Sequence, residues 1–335
     1  MSDKSGLIFR AIPDSGKVRI VPTPEGGVTP IWPNSAVIPG NLTKELENRA
    51  TTIWFPRYTE STIPDLNWAV NMCADADEYA EALSELDTAF DGLKNFPIFN
   101  HPRSVMMTRR DIIAQRLQGI PNLIVPNCVR FYADDPSIFK KVFRDNGFKY
   151  PVLIRPGASQ TGQDLVKIDH DKDWGKVHTI PWGGQNLFMT QYVDFSNKDG
   201  KFEKVRIAGV NNKILFRSFF IGDEWNVHGG PRTKEKIQRK LKYMAEFSKQ
   251  TDLLEVSRQL QDIIHLDLWA ADIGVLPDGR FLFFEANAAM SIADIHNTPD
   301  ELVHMVAPIL TPILENLSQS LRTPNGWRSC TGLPV

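Results

Sequence analysis

Apolar positions along this chain change their period several times, and each change marks a segment boundary. Thr52-Ile53-Trp54-Phe55 and Trp68-Ala69-Val70-Asn71-Met72 are short apolar runs that predict buried strands. Apolar residues recur at helical spacing over 76–93, and Phe96-Pro97-Ile98-Phe99-Asn100 predicts a further strand. An α/β lobe is therefore expected in the first third. A helix is expected over 108–118, stopped by Gly119 with Pro121 just beyond. Then come a strand at 129–132, a helix opened by Asp135-Pro136 and running to about Asn146, and a strand at 150–156. The rest predicts strands at 187–193, 205–210 and 214–221, helices at 234–251 and 253–265, a hairpin, and a last helix over 299–321 before a Pro/Gly tail. Residues 1 to about 50 are rich in Pro and Gly and predict turns and short extended pieces rather than long helices.

The hairpin carries the most chemistry. Asp272-Ile273 lies on its first strand, Pro277-Asp278-Gly279 forms the turn, and Phe284-Glu285-Ala286-Asn287 lies on the return. Side chains alternate faces along a strand, so Glu285 and Asn287 share a face from which Ala286 points away. Oxygen ligands of this kind suit Mg²⁺, which takes one or two carboxylates from a protein and the rest from water and phosphate. The alternative is a solvated surface hairpin; against it, Phe281-Leu282-Phe283-Phe284 is continuously apolar, and an acid embedded there needs a partner.

Composition narrows the classes of function. The chain has 335 residues, 42% of them hydrophobic, enough for two or three lobes around a large core. Lys and Arg number 38 against 40 for Asp and Glu, a net charge of -2 that gives no electrostatic reason to expect nucleic acid or an anionic membrane. No apolar stretch approaches the roughly 18 residues of a membrane-spanning helix, and the expected compartment is the cytoplasm. Cys73, Cys128 and Cys330 lie far apart, without the paired spacing of a disulfide framework or a zinc knuckle.

The loop Gly157-Ala158-Ser159-Gln160-Thr161-Gly162 has the glycine spacing of a P-loop, but Gln163-Asp164 stands where Lys-Ser/Thr belongs and the strand Leu165-Val166-Lys167-Ile168 follows where a helix belongs. A Walker-type NTPase is disfavoured. The early strands lack a Gly-x-Gly-x-x-Gly turn, which disfavours a nicotinamide enzyme. A small, polar loop directly after a strand ending in Arg155 can instead fold over phosphates as a lid, or be an ordinary exposed hairpin loop.

Four features together, in order and spacing, resemble the ATP-grasp superfamily, and within it the glutathione-synthase and ribosomal-protein glutamate ligase type of carboxylate–amine ligase. Thr108-Arg109-Arg110-Asp111 opens a helix that ends before Gly119-Ile120-Pro121, with Arg110 at the family's first nucleotide-binding Lys position. Tyr150 to Pro156 and the 157–162 loop resemble the strand of the second Lys, here Arg155, and the phosphate-covering loop with Ser159 and Gly162. Gln191, Tyr192 and Val193 resemble the hinge that meets adenine through its backbone and an acidic or amide side chain. Asp272, Glu285 and Asn287 match the metal-binding triplet.

The resemblance implies an α/β (α+β) chain with the ATP-grasp fold: an N-terminal pre-ATP-grasp lobe over 1–105, subdomain A over 106–190, subdomain B over 191–322 and a C-terminal tail over 323–335. It implies ATP and two Mg²⁺ ions as cofactors. The activity implied is amide or peptide bond formation through an acyl phosphate, with ADP and phosphate as products. An ATP-grasp kinase of a small hydroxylated substrate and a non-catalytic ATP-binding protein are the alternatives. The expected partners are a small-molecule or peptide carboxylate and an amine, with no nucleic acid, no membrane and a homodimer as the candidate assembly.

Two departures qualify the match. Arginine replaces lysine at both nucleotide positions, which keeps the charge and adds a fork suited to phosphate. Ala270 and Ala271 stand where ligases of this kind often carry an Arg just before the metal-binding Asp. Arg217 is the candidate to stabilise the tetrahedral intermediate in its place, its alternative being an exposed strand residue. Lys204 and Arg206, two apart on one strand face, form a second cationic pair for γ-phosphate or a substrate carboxylate. His228, in the turn-rich segment 223–230, is a candidate catalytic imidazole or a structural one. As metal ligands with no other duty, Asp272 and Glu285 are expected to be dispensable for folding.

Overall fold

The computed structural model describes residues 5–331 other than 24–25, 56–65, 94, 160–161, 163, 229–231 and 294–297. The N-terminal lobe runs β1 (Gly6–Ala11), a hairpin of β2 (Arg19–Pro22) and β3 (Val28–Ile31), α1 (Gly40–Arg49), β4 (Ala50–Phe55), β5 (Trp68–Asn71), α2 (Ala80–Phe90) and β6 (Ile98–Phe99). Its sheet is parallel, in the order β4-β1-β5-β6. Leu7, Ile8 and Phe9 of β1 are buried, because a central parallel strand is covered on both faces. The six-residue β1 and the short β2 and β3 are the extended pieces expected here, whereas α1 is a ten-residue helix that buries Leu42 and Leu46.

Next come α3 (Pro102–Met106), α4 (Arg110–Arg116), β7 (Leu123–Ile124), β8 (Cys128–Ala133), α5 (Ser137–Asp145), β9 (Val152–Pro156), β10 (Val166–Ile168) and, after a 3-10 stretch, β11 (Gln185–Gln191). Four of these strands form an antiparallel sheet, β10-β9-β11-β8, with its own core of Phe131, Phe139, Ile154, Trp174 and Leu187. The chain finishes with β12 (Phe202–Val210), β13 (Lys213–Gly222), α6 (Lys234–Phe247), α7 (Thr251–Ile264), β14 (Leu268–Val275), β15 (Phe281–Asn287) and α8 (Val303–Arg322). These strands order as β13-β12-β14-β15-β7, so the short β7 crosses over to join a sheet built mostly from the last third.

The largest core joins this five-stranded sheet, α7 and α8 to the N-terminal lobe. Helical spacing of Leu253, Val256, Leu260 and Ile264 puts all four on the buried face of α7. Residues after α8 are not a loose tail. Trp327 is fully buried against Phe99 and Trp68, and Ser329 Oγ accepts from the Ile98 amide at 2.8 Å. Residues 332–335 and the N-terminal 1–4 lie outside the described residues. Among the described residues no helix is long and apolar enough to cross a membrane. The two separate cores leave a cleft between the four-stranded antiparallel sheet and the five-stranded sheet.

Candidate functional site

A cavity of about 680 Å³ fills that cleft. Its floor comes from the register of the five-stranded sheet. In regular pairing Asp272 on β14 would face Phe284, since Ile273 pairs with Phe283; a bulge at Phe284 shifts the strand so that Asp272 faces Glu285 instead. Asp272 also pairs directly with Arg206, and Arg206 with Ser218. One transverse row therefore crosses four strands: Ser218, Arg206, Asp272, Glu285. Cross-strand partners share a face, so all four side chains meet the cavity.

Every strand neighbour of Asp272 is buried, and its own exposure is 3%. Such an anion is tolerable only with counter-charge. Arg206 grips both carboxylate oxygens at 2.6 and 2.9 Å, and Lys204 adds a contact at 2.8 Å. Burial works to raise the Asp272 pKa, but Arg206 and Lys204 outweigh it and hold the acid well below its usual range. Glu285 pairs with Arg110 at the start of α4, and burial is again outweighed, here by Arg110 and then Arg155. Both acids are ionised at neutral pH.

Arg155 lines the cavity from β9 and donates through Nε to Ser159 Oγ at 3.0 Å and through a terminal nitrogen to the Ser159 carbonyl. Burial and then Arg110 push its pKa down, yet a guanidinium keeps its charge at neutral pH. Ser159 itself serves Arg155 rather than lining the cavity. Gly162 reaches across to the other wall with φ of +69°, where a Cβ would lie 2.7 Å from His228 Cε1 and 2.8 Å from Asn226 Oδ1. Gln160 and Thr161 of the same loop, and Gly229 and Gly230 beyond His228, lie outside the described residues. The N-terminal lobe also touches this loop, through Asn34 Nδ2, which donates to the Ala158 carbonyl at 3.3 Å.

Gln191, Tyr192 and Val193 line the same cavity with Leu153, Leu165 and Phe283. The Gln191 amide is already engaged, donating to the carbonyls of Lys149 at 2.9 Å and Pro151 at 3.0 Å and accepting from the Lys149 amide at 3.1 Å. Its side chain braces the crossing between the sheets. Tyr192 carries Lys167 Nζ over its ring at 4.0 Å. His228 is exposed; burial and then Lys204 lower its pKa, so the imidazole is neutral at pH 7.

No protein-family model matches the sequence, and no curated protein matches it. Solved structures do. The D-Ala:D-Ser ligase VanG from Enterococcus faecalis aligns over 97% of this chain and 100% of its own, at 11% identity and a TM-score of 0.52. D-alanyl-alanine synthetase A from Vibrio cholerae O1 biovar eltor aligns over 96% and 100%, at 11% identity and 0.52. The D-alanine–D-alanine ligase from Bacillus anthracis, complexed with ATP, aligns over 95% and 98%, at 12% identity and 0.50. This chain has the ATP-grasp fold.

The ATP-grasp cleft tests the Mg²⁺ reading through donor chemistry. Two ionised carboxylates face one another, and Asn287 sits two positions beyond Glu285 on the same side of the strand, a hard-oxygen set that fits the ion. Asn287 borders a small neighbouring recess with Glu285 instead of the main cavity, and its side-chain oxygen accepts from the Ala289 amide at 3.0 Å. Arg206, Lys204 and Arg110 hold the acids now, so an ion would replace those contacts.

Sequence reasoning missed Lys240, Ser218 and Phe220 of the ATP-grasp cavity, and Asp77, which reaches from the N-terminal lobe to Arg130 at 3.0 Å beneath Gly157. For Lys240 a signal existed. Ile237, Lys240, Met244 and Phe247 fall on one helical stripe, and a lysine at an apolar-stripe position is out of phase with a solvated face.

Proposed function

We propose that this chain is an ATP-dependent carboxylate–amine ligase. The carrying observation is what one cavity brings together: apolar Leu153 and Phe283, the guanidinium groups of Arg110 and Arg155, and paired acids held ionised by cations. The adenine ring lies at Leu153 and Phe283, by the backbone of residues 191–193. The phosphates lie along Arg155 and Arg110, with Lys204 and Arg206 toward the γ-phosphate. Mg²⁺ bound through Asp272, Glu285 and Asn287 supplies positive charge to the phosphate oxygens.

A substrate carboxylate then takes the γ-phosphoryl group, ADP leaves, and an amine displaces phosphate from the acyl phosphate. Arg217 faces the carbonyl oxygen that becomes negative in that displacement. Neutral His228 accepts the proton that the amine sheds. The lobes divide near residues 105, 190 and 322, with the 157–162 loop closing over the phosphates.

Incubation with ATP, Mg²⁺ and a panel of amino acids, dipeptides and amines, read as phosphate release, is the direct test. Hydroxylamine should divert the acyl phosphate to a hydroxamate in place of the amide. ADP release that depends on a hydroxylated substrate, with no hydroxamate, would instead make the chain a kinase.

Gly162→Ala checks the closing loop. Its positive φ alone costs about 1 kcal/mol in any residue with a Cβ, and the overlap with His228 and Asn226 forces the loop outward. Affinity for a non-hydrolysable Mg·ATP analogue should fall roughly tenfold while the melting temperature stays within a few degrees. Wild-type affinity in this variant would dissociate the loop from the nucleotide.

A further inference from the structure

Charge in the cavity exceeds what a nucleotide needs. Among the described residues, seven Lys or Arg side chains line it against the carboxylates Asp272 and Glu285, a formal excess of five positive charges there in a chain whose net charge is -2. ATP brings roughly four negative charges and each Mg²⁺ returns two, so Mg·ATP leaves a surplus. The surplus has a location. Lys240 on α6 is 8% exposed, lines the cavity, and has no carboxylate partner among the described residues; its one contact there is the face of Phe220 at 4.9 Å. Lys204 at 5.2 Å and Arg206 at 5.9 Å crowd the same ring.

Ser218 points to the same spot independently. It ends the transverse row that carries Arg206, Asp272 and Glu285, its exposure is 2%, and its Oγ has no hydrogen-bond partner among the described residues. Buried hydroxyls are almost always bonded. Beside it Arg217 is the extra residue of a second bulge, since Arg206 pairs with Ser218 and Ile207 with Phe216. That bulge turns two consecutive residues, Arg217 and Ser218, into the cavity.

We propose that Lys240 and Ser218 form an anion subsite for a second carboxylate or phosphate on the acceptor substrate, in addition to the carboxylate that reacts. This rests on the ligase reading and gives it a substrate class: a polyanion, such as a di- or tricarboxylate or a phosphorylated acid. Burial, and then Arg217, push the Lys240 pKa down to about 8, as expected of an ammonium whose counter-anion arrives with the ligand.

Calorimetric titration of the full chain, saturated with Mg²⁺ and a non-hydrolysable ATP analogue at fixed ionic strength, tests this. Acetate, succinate, tricarballylate and phosphoglycolate are the probes. At least one multiply charged probe should bind roughly tenfold or more tightly than acetate, and the arm that does so tells a carboxylate from a phosphate subsite. Lys240→Gln should erase that preference, and Ser218→Ala should weaken it about threefold, a neutral hydroxyl giving the smaller share. Both variants should melt near the wild-type temperature, because Lys240→Gln gives up only the contact with the Phe220 ring and Ser218→Ala gives up no hydrogen bond among the described residues.

Three results overturn the proposal: no preference over acetate in the wild type, a preference that survives Lys240→Gln, or analogue affinity that falls as far as probe affinity. The last would put Lys240 in the nucleotide's own grip. Failure of the analogue to bind the wild type would refute the nucleotide reading instead, and the same titrations without it would still decide the subsite.

Discussion

Asp272→Asn is expected to lose at least about a hundredfold in turnover and also to lower the melting temperature of the ligand-free protein. The first effect follows from deleting a charged ligand opposite Glu285. The second follows from the two cations that Asp272 neutralises. Arg206 and Lys204 converge on a carboxylate that is 3% exposed, and removing the anion while keeping its shape leaves both without their counter-charge in a cavity already rich in cations. Breaking a buried pair this way costs about 3–5 kcal/mol. For a chain of this size that is roughly 4–7 °C.

This differs from what a metal ligand with no other duty would do, and the difference is measurable. Scanning calorimetry of the ligand-free variant should give the lower midpoint, and combining it with Arg206→Gln should recover part of the loss. Glu285→Gln should abolish turnover with a smaller change in stability, its side chain being 18% exposed and, among the described residues, ion-paired to Arg110 alone. Near-wild-type turnover in either variant at saturating Mg²⁺ would sink the metal assignment.

Arg155→Ala should weaken binding of the ATP analogue at least about tenfold, since each lost charge-assisted contact is worth roughly 1.5–3 kcal/mol. Arg110→Ala should do the same and in addition leave Glu285 without its partner. Only the first of these also acts on the closing loop. Arg155 holds Ser159 by its hydroxyl and its carbonyl, so a phosphate and Ser159 compete for one guanidinium.

Limited proteolysis reads that competition. Cutting near Ser159 should rise in ligand-free Arg155→Ala, and Mg·ATP should protect the wild type much more than AMP does, because the phosphates make the closing contacts. Equal protection by AMP and Mg·ATP, or wild-type affinity in both arginine variants, would mean the nucleotide lies elsewhere.

Most of the elements from β8 onward, and the chemical inventory, were legible in the sequence. Strong periodicity fixed α7 and the strands from β8 to β15 to within a few residues, since an apolar stripe or run has only one way to be buried. The side chains from Arg110 through Arg217 and Asp272 to Glu285 do line one cavity. Periodicity is a local property, and it left β1 and α1 unread because Pro and Gly around them break the window, while β1 is buried between β4 and β5, forty or more residues away.

Tertiary structure decided how the charges are paired. The bulge at Phe284, invisible in a pattern of four aromatic and aliphatic residues, turns Asp272 toward Glu285; the bulge at Arg217 does the same for Arg217 and Ser218. A one-residue slip moves a side chain to the other face of a sheet, so no reading of spacing alone can say which acids meet. Nor does spacing reveal that Lys204 and Arg206 neutralise Asp272, or that Lys240 comes from a helix on the far side of the sheet to share a ring with them. Those pairings depend on distances between elements that are remote in the chain, and only the folded protein sets them.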